Sequence, residues 1–177
     1  MSYAFDAYVT SALFTKSGQG VFALGDGSIR FDTGEVVEAH DGAVLSACLH
    51  PSGDGGLTGG DDGRVVWSRV SGPEEIAAIP GRWIDAVGAS AEAGLIAFSA
   101  GKTVHVRDVA APDFVRAFEH EKSVAGLAFD PKGRRLAVAT YGGAWLWFAR
   151  IAEQKPMVLA WAGSHIALAW SPDGKFL

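Results

Sequence analysis

The chain has 177 residues, and 49% of them are hydrophobic, which excludes a disordered tail and predicts a packed core. Fifteen Lys and Arg against 20 Asp and Glu give a net charge of −5, which argues against nucleic acid as the main partner because phosphate binding needs a basic surface. The single cysteine excludes an intrachain disulfide, and no apolar run approaches the roughly 18 residues of a membrane span. We therefore expect a cytoplasmic protein with no membrane contact and no nucleic-acid partner.

A sequence repeat of short apolar strands and Gly-containing turns recurs along the chain. Period-2 alternation predicts the strands, and a turn glycine marks each copy at intervals of 35 to 41 residues: Gly18, Gly53, Gly94, Gly133 and Gly174. A period near 40 residues with three or four strands in each copy is typical of the blades of a β-propeller. The sequence therefore predicts an all-β fold of this kind.

The copies can be placed along the chain as successive blades of one partial domain, residues 1–177. The predicted blades are approximately 9–37, 40–78, 83–118, 120–159 and a partial copy, 161–177. About four four-stranded blades plus the start of a fifth make an incomplete ring, so we expect an N-terminal portion of a longer propeller. The alternative is closure by oligomerisation, and open propeller edges would then support self-association.

Two stretches carry a family resemblance. The run Ser171-Pro172-Asp173-Gly174 is similar to the turn of the WD40 repeat, and the second copy has the residue types of that family's hydrogen-bonded tetrad at four positions: His40, Thr58, Asp62 and Trp67. The resemblance implies that the tryptophan donates to the threonine hydroxyl, which links to the histidine and then to the aspartate. The fourth copy keeps His120 but has Gly142-Gly143 where the family has Asp-Gly, so its tetrad is expected to be broken.

Each sequence that resembles a catalytic or ligand-binding motif has a structural explanation. Gly101-Lys102-Thr103 lacks the earlier glycine of a phosphate-binding loop and precedes a predicted strand, so it is expected to form a hairpin turn. Cys48 and His50 have no second cysteine to complete a zinc site. The basic cluster Lys132–Arg135 falls in a predicted turn, where its expected role is to keep that turn soluble. We predict no catalytic residue, no metal site and no cofactor.

The WD40 resemblance implies a non-enzymatic scaffold that binds another protein through one rim of the propeller. Loops that share this rim in the family hold the candidate contact residues: Arg82, Trp83, Lys122 and Tyr141. An aromatic beside a cation is also a common composition of an interaction hot spot. The alternative is a propeller enzyme or small-ligand-binding module with its site in the central channel, where polar groups would come from first-strand positions: Ser11, Ser46, Asp85 and Ser123.

Overall fold

The computed structural model describes residues 3–177, and over that range all regular secondary structure is β-strand. The strands form four antiparallel sheets, in each of which a strand pairs with its neighbours in sequence. By its contacts the chain divides into two compact units, Met1–Ile84 and Asp85–Leu177. No helix within residues 3–177 is long and apolar enough to cross a membrane.

The first unit contains two four-stranded sheets. The strands of the first sheet are β1 (Val9–Phe14), β2 (Gly20–Leu24), β3 (Ser28–Phe31) and β4 (Val36–Glu38). Those of the second are β5 (Val44–Leu49), β6 (Gly56–Gly60), β7 (Arg64–Arg69) and β8 (Gly72–Ala78). The inward side chains of the first sheet pack on Val44 and Val66 of the second and form one core, in which Ile29 is fully buried.

The second unit contains the other two sheets. The strands of the third sheet are β9 (Val87–Ser90), β10 (Leu95–Ala100), β11 (Thr103–Asp108) and β12 (Val115–Glu119). Those of the fourth are β13 (Val124–Phe129), β14 (Arg135–Phe148) and β15 (Met157–Ser164). Their shared core includes Leu95, Phe118 and Trp147, and the last two stack with ring centroids 4.5 Å apart. Each unit therefore buries apolar side chains between a pair of adjacent sheets, which is how propeller blades are stabilised.

Strand β14 doubles back on itself. An extended strand of this length would span about 45 Å, yet the Ala149 N–H donates to the Arg134 carbonyl at 2.9 Å, across the two ends of the strand. The reversal falls at Gly142 and Gly143, whose φ angles of 92° and 156° favour glycine. The strand thus supplies both arms of a hairpin. With these arms counted separately, the fourth sheet has four strands paired in sequence order, like the other sheets.

The end of the chain differs in detail from the predicted blade limits. Strand β15 continues to Ser164, which pairs with Tyr141, so it passes the predicted limit between the fourth and fifth copies at 159–161. The following residues form no strand, but Ser171 and Gly174 close the predicted turn through a 2.8 Å backbone hydrogen bond. The Trp170 indole donates to the Ala128 carbonyl at 3.1 Å, which fixes this segment beside β13.

Candidate functional site

Three of the four predicted tetrad residues form a buried chain of hydrogen bonds in the second sheet. His40 Nδ1 lies 3.0 Å from Asp62 Oδ1, and His40 Nε2 lies 2.8 Å from Thr58 Oγ1. A carboxylate only accepts, so Nδ1 carries the proton. The Thr58 hydroxyl lies 2.8 Å from Nε2 and also 3.2 Å from the Val66 carbonyl oxygen, so its single proton is shared between these two neighbours. The imidazole therefore joins the β6 strand to the turn that follows it.

The Asp62 carboxylate also organises its own turn. It accepts from the backbone N–H groups of Asp41 at 3.1 Å and Arg64 at 3.0 Å. Burial acts to raise the pKa of Asp62, but these N–H groups and the His40 imidazole outweigh burial and hold the pKa below its ordinary value. The next residue, Gly63, has a φ of 82°, and a Cβ there would lie 2.5 Å from the Ile79 carbonyl oxygen. The Asp-Gly pair is thus required by both hydrogen bonding and backbone geometry.

Trp67 does not take the place that the family resemblance implies. Its indole N–H donates to the Asp54 carbonyl at 2.7 Å instead of to Thr58. The ring stacks on His50 with centroids 3.8 Å apart, and the Arg69 guanidinium lies 3.8 Å above it on a ring face. Burial, helped by the Arg69 charge, lowers the pKa of His50 to about 4, so His50 is neutral at pH 7 and stacks without a charge. In the register of β6 and β7, Trp67 pairs with Leu57 and Thr58 pairs with Val66, so the indole lies on the opposite face of the sheet from the Thr58 hydroxyl.

In the fourth copy, different side chains form the hydrogen bonds of the buried histidine. Position 138, which corresponds in register to Thr58, is a valine and has no hydroxyl. In its place the Trp147 indole donates directly to His120 Nε2 at 3.1 Å, while His120 Nδ1 lies 3.3 Å from the Lys102 carbonyl oxygen. Burial lowers the pKa of His120, which keeps Nε2 available as the acceptor. The sequence analysis did not identify this link. Its sequence signal is that Trp147 lies two residues after Trp145, so both indoles are on the same face of the strand.

The networks built on His40 and His120 are closed, with each imidazole nitrogen engaged by a protein group. Cys48 is the one cysteine, and burial raises the pKa of its thiol to about 12, which disfavours the thiolate at pH 7. Among residues 3–177 no three His, Cys, Asp or Glu side chains are grouped so that they could hold a metal ion. These contacts stabilise the sheets and present no free nucleophile or base.

The proposed channel residues fall in both units. Ser11 and Ser46 lie on first strands of the first unit, where the Ser46 hydroxyl donates to the Ile84 carbonyl at 3.4 Å. In the second unit, Asp85 and Ser123 are exposed residues that precede β9 and β13, so neither lies on a first strand. Partial loss of hydration raises the pKa of Asp85.

In the first unit, Arg82 and Trp83 lie on a loop that is fixed against the Asp62-Gly63 turn. The Ile79 N–H donates to the Gly63 carbonyl at 2.9 Å, and the Ile84 N–H donates to the Gly60 carbonyl at 3.1 Å. Between these two anchors the Trp83 side chain is 63% exposed, and Arg82 is exposed beside it. The loop therefore holds a large aromatic ring in solvent on a restrained backbone.

In the second unit, Lys122 and Tyr141 lie at the same end of the fourth sheet. Val124 and Thr140 are paired across β13 and β14. Lys122 lies two residues before Val124, and Tyr141 directly follows Thr140. The Tyr141 ring is 64% exposed, and Lys122 is exposed. The loop that contains Lys122 is held at both ends, because His120 N–H donates to the Lys102 carbonyl at 3.0 Å and Val124 N–H donates to that of Gly101 at 2.9 Å.

Comparisons with known proteins agree on the fold. Residues 33–67 match the family model "WD domain, G-beta repeat". A chain in the crystal structure of the mitotic checkpoint complex superposes with a TM-score of 0.78 at 15% sequence identity, over 98% of this chain and 59% of that one. Among curated protein sequences, none matches this chain. The predicted WD40 β-propeller fold is thereby confirmed, and the chain spans 59% of the length of the solved chain that it matches.

Proposed function

We propose that this chain, which carries a WD40 repeat at residues 33–67 and has the WD40 propeller fold, is a non-enzymatic scaffold that binds another protein. Each unit offers its own contact loop: the strand-end loop with Arg82 and Trp83 in one, and the strand-end positions Lys122 and Tyr141 in the other. The observation that carries the proposal is the pairing of an aromatic ring more than 60% exposed with an exposed cation in each unit.

The physical argument concerns the cost of binding. Trp, Tyr and Arg dominate interaction hot spots because a large flat ring buries much area for few rotatable bonds. A loop that is ordered before binding loses less conformational entropy when the partner arrives. The hydrogen bonds from Ile79 and Ile84, and those from His120 and Val124, supply that order in the free protein. The histidine networks act beneath these loops as supports, which fits their closed geometry.

We also propose a cellular compartment and a mode of assembly for this chain. A single thiol and the absence of any disulfide suit the reducing cytoplasm, where we place the protein. The solved chain with the same fold is part of a checkpoint complex, so this fold serves in a multi-protein assembly there. Self-association through propeller edges is a second mode of assembly that we propose for this chain, and light scattering tests it, because a monodisperse monomer up to about 100 μM would contradict it.

Site-specific photocrosslinking tests the contact surface. A photoreactive phenylalanine analogue is placed at Trp83 or Tyr141, and at Phe14 as the control, because Phe14 is 70% exposed and lies at the end of β1 away from the Asp62 turn. We expect a discrete protein adduct from positions 83 and 141 and none from 14. Binding of the adducted partner to purified chain should weaken at least tenfold in Trp83→Ala or Tyr141→Ala, as for a hot-spot aromatic.

Equal crosslinking from all three positions would contradict the proposed surface. The proposal of a non-enzymatic scaffold would be overturned if no adduct forms and the purified chain converts a small substrate in a manner abolished by Asp85→Asn. Far-UV circular dichroism of each variant establishes that the fold is retained.

A further inference from the structure

The two buried histidine networks differ in how they accommodate a second proton on the ring. In the second sheet, His40 Nδ1 donates to the Asp62 carboxylate at 3.0 Å, and Nε2 lies 2.8 Å from Thr58 Oγ1. The Thr58 hydroxyl also lies 3.2 Å from the Val66 carbonyl oxygen, to which it can donate. When His40 gains a proton, Nε2–H donates to Oγ1 and the hydroxyl donates to Val66, so every hydrogen bond of the network is kept.

In the fourth copy, a second proton on the ring has no acceptor. A carbonyl only accepts, so His120 Nδ1, which lies 3.3 Å from the Lys102 carbonyl oxygen, carries the proton of the neutral ring. His120 Nε2 accepts from the Trp147 indole N–H at 3.1 Å. An indole nitrogen donates and does not accept, so a proton on Nε2 sets two donors against each other at this distance. The site fits the neutral imidazole and excludes the imidazolium.

The imidazole, and not the indole, is the ring that can move. Trp147 is 8% exposed, and its ring stacks on Phe118 with centroids 4.5 Å apart and planes 11° apart. His120 begins a loop, residues 120–124, whose next three side chains are exposed: Glu121, Lys122 and Ser123. An imidazolium displaced from Trp147 regains water at the surface. Its displacement also disturbs the backbone N–H of His120, one of the two hydrogen bonds that hold the loop to the Gly101-Lys102 turn.

The charges around His120 do not offset the cost of burying an imidazolium. The charged side chains on the elements around it are Glu119 at the end of β12, Glu121 and Lys122 in the loop, and Lys102 in the facing turn. The β14 strand faces the ring with two indoles, which are uncharged. Burial lowers the pKa of His120, although backbone hydrogen bonds to Lys102 and Phe118 and the charge of Glu119 act to raise it. His120 is therefore neutral at pH 7 and gains its second proton in acid.

We propose that protonation of His120 breaks its hydrogen bond with Trp147 and releases the 120–124 loop from the Gly101-Lys102 turn, so that the order of this loop depends on pH. The His40 network keeps its hydrogen bonds in both states and has no such dependence. The stability that the neutral His120 contributes is present above its unfolded pKa of about 6.5 and is lost as pH falls from there through the folded pKa. An effect on a partner held by Lys122 rests on the proposed function, but the release of the loop does not.

Amide hydrogen exchange of the full chain, followed by NMR and corrected for the intrinsic rate at each pH, tests the proposal. Between about pH 7.5 and 4.5, we expect the protection factors of the His120 and Val124 amides to fall at least about tenfold, because each pH unit between the pKa of the closed and the released loop is a factor of ten in loop opening. The hydrogen-bonded amides of His40 and Asp41 are the matched control in the same sample. Their protection should change by less than about twofold, because their network tolerates the added proton.

Two substitutions localise the effect to the pair of Trp147 and His120. His120→Gln replaces the imidazole with an uncharged side chain that has both a donor and an acceptor, so the protection of the 120–124 loop should no longer depend on pH. Trp147→Phe removes the indole N–H and keeps an aromatic ring beside Phe118, so the ¹³C NMR titration of His120 should move to higher pH. Thermal melts at neutral pH establish that each variant is folded. If His120→Gln does not fold, Trp147→Phe and the titration of the unmodified chain still decide the question.

Four results would overturn the proposal. One is a His120 ring that stays neutral down to pH 4.5, and another is an unchanged protection of the 120–124 loop at a pH where NMR shows the ring to be protonated. A third is an equal loss of protection at His40 and Asp41, which would indicate acid destabilisation of the whole chain. The fourth is a His120→Gln loop that responds to pH as the unmodified loop does. Failure to crosslink a partner through Tyr141 would contradict only the proposed function.

Discussion

The substitution Thr58→Val tests whether the threonine hydroxyl is required by His40. Valine has nearly the same shape as threonine, so the change leaves no cavity and removes only the hydroxyl. Thr58 is 1% exposed and His40 is 5% exposed, so water cannot replace the lost partner of His40 Nε2. A buried polar group that loses its hydrogen-bond partner costs about 1–3 kcal/mol.

That cost should be visible in thermal and chemical unfolding. For a chain of this size 1 kcal/mol shifts Tm by about 2–4 °C, so a loss near the middle of the range lowers Tm by about 4–8 °C. The control is Thr10→Val, whose hydroxyl donates at 3.1 Å to the Ala23 carbonyl in a half-buried setting that water can reach. We expect the control to cost no more than about 0.5 kcal/mol, as for a substitution near the surface.

A double-mutant cycle separates the imidazole contact from other effects of valine. In a His40→Phe background no imidazole nitrogen is present, so Thr58→Val should cost at least about 1 kcal/mol less than it does in the unmodified protein. Urea titration followed by circular dichroism measures each corner of the cycle. Additive losses, or a Thr58→Val protein as stable as the unmodified one, would refute a stabilising hydrogen bond between the Thr58 hydroxyl and His40.

Two further predictions follow from the pKa shifts. Arg135 and two backbone N–H groups outweigh burial and hold the pKa of Asp130 below its ordinary value, so the stability that this carboxylate contributes is present above the unfolded pKa and is lost as pH falls through the folded pKa, below about pH 4. The Tm deficit of Asp130→Asn should accordingly be largest at pH 7 and shrink below pH 4, and a deficit independent of pH would contradict this. Burial raises the pKa of Cys48 to about 12, and only the thiolate reacts with Ellman's reagent, so at pH 8 the native protein should be labelled at least about tenfold more slowly than the protein in guanidinium. Native labelling as fast as that in guanidinium would contradict the raised pKa.

Local patterns were sufficient to predict the strands and most of the turns. Alternation and the repeated glycines indicated propeller blades, and the Gly142-Gly143 reversal was visible because two adjacent glycines interrupt an apolar run. The His40–Asp62 contact was accessible through family resemblance, since its Asp-Gly turn directly follows β6.

Contacts between distant or competing groups could not be read in the same way. The position of Trp67 depends on the Asp54 carbonyl, which the glycines of the 53–56 turn place within reach, and on the imidazole of His50 beneath the ring. Arg135 was expected to be a solubilising charge, but it binds Asp130 and the Gly174 carbonyl. Periodicity says nothing about a hydrogen bond that joins residues 39 positions apart.

The direct hydrogen bond from Trp147 to His120 has a consequence for how such proteins are recognised. Two blades of one chain keep a buried imidazole hydrogen-bonded by unlike groups, a hydroxyl in one and an indole in the other. The signature residues of the family can therefore be substituted in a blade while its backbone stays the same. The family model accordingly matches the copy with the hydroxyl, within residues 33–67, and does not extend to the copy with the indole, which strand alternation, the turn glycine and the three-dimensional fold identify.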